Sequence, residues 1–146
     1  MVGHMGTLTN ENSDARELVT EILDQALWWK TLRLVVEFLH RRAVEKVRIE
    51  FGFVLDRDIT GKQQGQDQVV RLGDLENVIR AGIEEGTIEW NRSSDFLFYP
   101  LGTDLAFMLC NDADLHFASS DETLLADVVK VVRGCGTKVY DSGRLL

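Results

Sequence analysis

Two apolar runs, 96–99 and 105–110, constrain this chain more than any other feature. The second reads Leu-Ala-Phe-Met-Leu-Cys and is apolar at every position. A strand of that kind needs cover on both of its faces. Pro100, Gly102 and Asp104 between the runs supply turn chemistry. The pair is therefore expected to form the core of a sheet, and its own residues to be structural.

The segments around it alternate in period. Asp14 with Glu17 reads as a capping pair that opens a helical pattern from residue 15 to about 46, a stretch without Gly or Pro. Leu18, Ile22, Trp29, Leu32, Val36, Leu39 and Ala43 would share one face of it. A single rod of about 32 residues would be roughly 48 Å long. That exceeds the width of the domain, so the pattern predicts a break near Trp28 to Thr31 or a rod packed on a second subunit. Residues 47–55 turn to β character, and 56–68 read as a polar loop. A short helix follows from Gly73 and Asp74, with Leu75, Val78, Ile79 and Ile83 inward and Gly86 at its end. Residues 87–90 are a short expected strand, then 91–94 a turn. After the central pair come a polar kink at 111–114 and a strand at 115–118. Ser119 and Glu122 look like the capping box of a helix that places Leu124, Leu125, Val128, Val129 and Val132 inward. Gly134, Cys135 and Gly136 stop it, and 138–140 add a last strand. The sum is an α+β fold with a helical N-terminal third, in which a mostly antiparallel sheet of about five strands packs with three to four helices. The 141–146 tail either docks on the body or frays.

Composition agrees with one domain. The chain has 146 residues, 45% apolar and 27% charged, close to globular averages. Met1 to Met5 read as a cloning remnant, which removes His4 from consideration. Residues 1–12 are expected to be a disordered or vector-derived N-terminus, and 13–146 a single α+β domain. Neither a membrane span nor a secretory leader is expected. Two cysteines, Cys110 and Cys135, are too few for a disulfide framework, which favours a reduced, cytoplasmic setting.

The net charge of −8 is unevenly placed. Between 84 and 122 lie nine acids (Glu84, Glu85, Glu89, Asp95, Asp104, Asp112, Asp114, Asp121, Glu122) against Arg92 alone. Such a face repels phosphate backbones, so nucleic acid is not an expected partner. It attracts a basic protein or a cation. Glu84, Glu85, Glu89, Asp95 and Asp104 are the residues expected to meet a basic partner, and a solvated face that keeps the chain soluble is the alternative.

Chemistry-bearing patterns are few. Asp112, Asp114 and His116 would point to one side of an extended segment, and two carboxylates with an imidazole could hold a divalent metal or do acid–base work. Both Asp residues equally suit a turn. Asp56, Asp58, Thr60, Gly61 and Asp67 occupy positions 1, 3, 5, 6 and 12 of the calcium-loop pattern. The final position is the shorter Asp, however, and the entering segment reads as a strand, so a polar loop is preferred. No nucleophile elbow, phosphate-binding glycine loop or His-Glu-x-x-His helix is present. Cys135 at a helix C-terminus is poorly placed to ionise, and His40 among arginines reads as solvated. Trp28 and Trp29, with Leu34, Val35 and Phe38, lie partly off the main helical face. They fill a second core layer or form a homodimer interface.

In size, acidity and lack of catalytic signatures the chain is similar to small bacterial immunity partners of basic toxins, a likeness of composition alone. The functional expectation is a small acidic, non-enzymatic protein-binding domain. A metal-dependent or acid–base enzyme using Asp112, Asp114 and His116 is the second reading, and a structural homodimer the third.

Overall fold

The apolar pair does become the middle of a sheet. A computed structural model describes residues 15–51, 68–85, 96–109 and 113–146. In chain order the elements are β1 (Arg16–Thr20), α1 (Gln25–Arg41), β2 (Lys46–Phe51), β3 (Gln68–Arg71), a 3₁₀ turn (Leu72–Asp74), α2 (Leu75–Glu85), β4 (Phe96–Pro100), β5 (Ala106–Leu109), β6 (Leu115–Ser119), α3 (Glu122–Gly134), β7 (Val139–Asp141) and β8 (Arg144–Leu145). The strands form one sheet in the order β3-β2-β4-β5-β6-β1-β7-β8. Every neighbouring pair is antiparallel.

The expected α+β class with an antiparallel sheet is present, but its count and its N-terminus are corrected. There are eight strands among the described residues instead of about five, with three helices. The N-terminal third is not helical throughout, since Arg16–Thr20 is a strand inserted between β6 and β7. Leu18 is buried because it pairs with Phe117 across β6, not because it lies on a helix face. Ile22 is 71% exposed, so the apolar spacing that linked it to Leu18 has no helical meaning. The helix cap is Asp24, whose carboxylate accepts a 2.8 Å hydrogen bond from the Leu27 N–H. From there α1 runs unbroken through Trp28 to Thr31. It ends at Arg41, two residues before Ala43, which sits in the left-handed region at φ 65°. Its buried stripe is Trp28, Thr31, Leu32, Val35, Phe38 and Leu39, which keeps Leu32 and Leu39 of the expected face and replaces Trp29 and Val36 by Trp28 and Val35.

The sheet's two faces differ. All three helices lie on one, where β2, β4, β5, β6 and β1 contribute Ile49, Phe98, Phe107, Phe117 and Leu18 in a single cross-strand row. Phe98 and Phe107 stack at 4.8 Å between centroids, and Phe107 and Phe117 at 6.3 Å. Such pairs add to the stabilisation from simple burial. The opposite face holds a smaller buried group of Leu97, Ala106, Met108 and Ala118. The expectation that the central strands are covered on both sides is thus met at β4 and β5. The capping of α3 differs from expectation: Asp121 accepts from the Thr123 and Leu124 N–H groups at 3.0 and 3.1 Å, while Ser119 is occupied elsewhere. The helix does end where glycines stop it, with Gly136 at φ 92° just beyond. The expected strand at 87–90 lies outside the described residues.

Phe107 is fully buried in the middle of the row. Phe107→Ala is expected to lower the unfolding free energy by about 3–5 kcal/mol in urea denaturation. A loss under about 1 kcal/mol would show that the aromatic row is not the centre of the core.

Candidate functional site

Alternation along β6 decides where its one titratable side chain goes. Leu115 and Phe117 point into the helical side, so His116 points to the other face. There it lies opposite Val19 of β1 and diagonal to Glu17, whose direct partner is Ala118. Glu17 Oε2 is 2.7 Å from His116 Nδ1, and both side chains are buried, at 3% and 2% exposure. Asp114 Oδ1 lies 3.2 Å from Nε2, an ion-pair contact whose alignment falls short of a hydrogen bond. The imidazole therefore has a carboxylate at each nitrogen.

Two neighbours fix this arrangement. Ala113 takes a left-handed conformation at φ 67° and its carbonyl accepts from the Leu23 N–H at 2.9 Å, which ties the start of β6 to the chain leaving β1. Thr20 Oγ1 accepts from the Leu115 N–H at 3.0 Å. Asp114 and His116 are thus brought together. Glu17 was missed, because the segment that carries it reads as a helix and lies 99 residues away. Asp112 lies outside the described residues. Among those residues, no group of three or more His, Cys, Asp or Glu side chains is arranged to hold a metal ion. Chemically, the imidazole is gripped from both sides and shielded from solvent. It braces β1 against β6.

The carboxylates expected to form one acidic face have separate fates. Asp104 accepts from Ser119 Oγ at 2.5 Å, from the Ser120 N–H at 2.8 Å and from Ser120 Oγ. It clamps the β4–β5 turn to the end of β6. Burial pushes its pKa up, but the Ser119 and Ser120 hydrogen bonds outweigh this and hold it below its ordinary value of 3.8. Asp121 caps α3, and Glu122 lies 3.5 Å from Arg16. Glu76 on α2 is bound by Arg33 and Arg80, each at 2.9 Å, and its pKa is lowered chiefly by the Arg33 hydrogen bond. Glu84 and Glu85 are different. They are exposed in the last turn of α2, where no basic residue accompanies them. Glu89 and Asp95 lie outside the described residues, as do Cys110 and the calcium-like 56–67 segment.

The remaining candidates are largely occupied within the chain. Trp28 is in the core, and Trp29 meets it edge-on at 4.9 Å while Arg80 stacks on the outer ring at 4.0 Å. Cys135 is buried and donates its thiol to the Val131 carbonyl at 3.5 Å. His40 is exposed on α1, beside a shallow hollow of about 260 Å³ shared with Val36, Arg41 and Leu72. On the face opposite the helices, Arg48 lies 4.1 Å over the Tyr99 ring and 3.3 Å from Glu50. No helix among the described residues is long and apolar enough to cross a membrane. No protein-family model, curated protein or solved structure matches the chain.

Two outcomes test this account. Removing either Glu17 or His116 alone, as Glu17→Leu or His116→Leu, is expected to cost about 3–5 kcal/mol, and the Glu17→Leu/His116→Leu double variant less than the sum. Strict additivity in that cycle would show that the two groups do not interact. For Asp104, the depressed pKa means a contribution to stability that is present above pH 3.8 and lost as the pH falls through the lower folded value. Asp104→Asn should therefore flatten the acid limb of the stability profile. An unchanged limb in urea titrations from neutral pH downward would rule the clamp out.

Proposed function

We propose that this chain is a non-enzymatic binding domain whose partner is a basic protein. The observation that carries this reading is the placement of Glu84 and Glu85. Exposed carboxylates in the last turn of a helix oppose its dipole and destabilise it by about 0.3–1 kcal/mol each. No basic residue shares that last turn, and among the described residues no ion pair engages them. A basic surface would turn that local penalty into attraction and speed encounter. Asp104, Asp114, Asp121 and Glu76, by contrast, already have work inside the domain. The overall charge of −8 adds long-range steering in the same sense.

An acid–base or metal role for His116 is not part of this reading, because the ring is buried and Asp114 stands at Nε2. Nor is a homodimer through Trp28 and Trp29, since one ring is in the core and the other lies under Arg80. The cytoplasm is the compartment this reading favours, with Cys135 kept as a thiol.

The test is capture on the immobilised chain from a lysate of the source organism. A basic protein is expected to be retained at about 0.05 M salt and released at about 0.5 M, where the Debye length has shrunk severalfold. The Glu84→Lys/Glu85→Lys variant should retain far less. If no salt-sensitive protein is found, or if that variant retains it equally well, the reading fails.

A further inference from the structure

The edge of the sheet at β3 combines outward-facing main-chain groups with a neighbouring groove. The Leu72 N–H donates to the Glu45 carbonyl at 2.9 Å, which sets the phase of the β2–β3 ladder. In an antiparallel pair the residues facing the neighbour alternate with those facing away. Gln68 and Val70 therefore bond toward β2, and Val69 and Arg71 turn their N–H and C=O groups outward. Among the described residues no strand lies on that side. Sheet edges are normally blunted by proline, lysine or a bulge. Here β3 carries Arg71 alone and leaves Val69 55% exposed.

Beside this edge runs a groove of about 540 Å³ between β3 and α2, lined by Val69, Val70, Arg71, Asp74, Val78 and Ala81. Its volume is within the range of about 300–1,000 Å³ common to binding sites. Its lining mixes the apolar Val69, Val70, Val78 and Ala81 with the polar Arg71, Asp74 and Asn77, and its helical wall follows one stripe of α2. Spacings of three and four carry that stripe from Ala81 to Glu84 and Glu85. Asp74 and Glu84 are thus the acidic ends of one strip. Ten residues of helix rise about 15 Å, the length of about four or five extended residues.

Resting on the basic-partner reading above, we infer that this groove receives an extended segment of that partner, added as a strand to β3. Main-chain bonds to Val69 and Arg71 hold it. Alternate apolar side chains enter against Val70, Val78 and Ala81. A Lys or Arg at one end meets Asp74, and another about four or five residues along meets Glu84 and Glu85. Arg71 is the one cation of the groove lining, and Asp74 with Glu84 and Glu85 further along the α2 stripe outnumber it, so the strip as a whole favours a basic segment over an acidic one. The opposite edge strand, β8, is only two residues long.

The probe is a synthetic decapeptide alternating valine and lysine, titrated into the full ¹⁵N-labelled chain, with a valine–glutamate decapeptide as its counterpart. The lysine peptide is expected to shift the amides of Val69, Val70, Arg71, Val78 and Ala81 in a saturable way, and the glutamate peptide to leave them unmoved. Val69→Pro removes an outward donor without touching the β2 ladder, and should weaken binding at least about tenfold. Ala81→Arg fills the groove from an exposed helix position and gives the same expectation should the proline variant fail to fold. Binding that is undiminished in these variants, or shifts confined to other residues, would overturn the groove and leave the basic-partner reading intact. Absence of saturable binding by the lysine peptide overturns the groove as well, whatever the lysate capture shows. Equal binding of the glutamate peptide overturns the charge selection on which both inferences depend.

Discussion

The aromatic row Phe98, Phe107 and Phe117, flanked by Ile49 and Leu18, is the contact on which the other features depend. It crosses five consecutive strands at one level and gives all three helices a common surface. Because strand side chains alternate, holding these rings inward fixes the direction of every neighbour on those strands. Phe117 inward means His116 and Ala118 outward. Leu18 inward means Glu17 outward. The buried Glu17–His116 pair follows from hydrophobic register, and a slip of one residue would place a carboxylate and an imidazole in the core.

The same logic explains why a run of acids along the sequence is not a continuous acidic surface. Asp104 ends a turn and is drawn in by two serine hydroxyls and a backbone N–H. Asp121 stands at a helix start, where N–H groups have no other partner. Asp114 is turned toward His116 by the left-handed Ala113 before it. Each carboxylate meets the nearest donor that the fold leaves unsatisfied. Among the described residues Glu84 and Glu85 meet none, since the end of a helix offers carbonyl groups rather than donors. A functional reading therefore gathers at the C-terminal end of α2 instead of spreading over residues 84–122.

Much of the scaffold was legible before any coordinates. The central strands showed as uninterrupted apolar runs, α2 by its Leu75, Val78, Ile79 and Ile83 spacing, and α3 by its Leu and Val stripe and terminal glycines. Asp114 and His116 were singled out too, by a spacing of two. Glu17 was not. Arg-Glu-Leu-Val-Thr is short and has no local strand signal strong enough to oppose a helical reading. Its pattern also runs on without Gly or Pro into a real helix. Asp14 and Asp24 are both acceptable caps by type, and only the second has helical N–H groups in front of it.

What the sequence determined by itself, then, is the set of elements whose signal is internal to them: two apolar strands with a turn between, and two amphipathic helices, the second with its stop. Tertiary structure decided which segment fills the place between β6 and β7. It thereby decided that residues 16–20 are extended, that Glu17 reaches His116, and that β3 is left as an edge beside α2. The physical reason is that a strand is completed by hydrogen bonds to other strands, often far away in the chain, whereas a helix bonds within itself. Helical periodicity is therefore readable along a line of residues. A strand's identity waits on its neighbours.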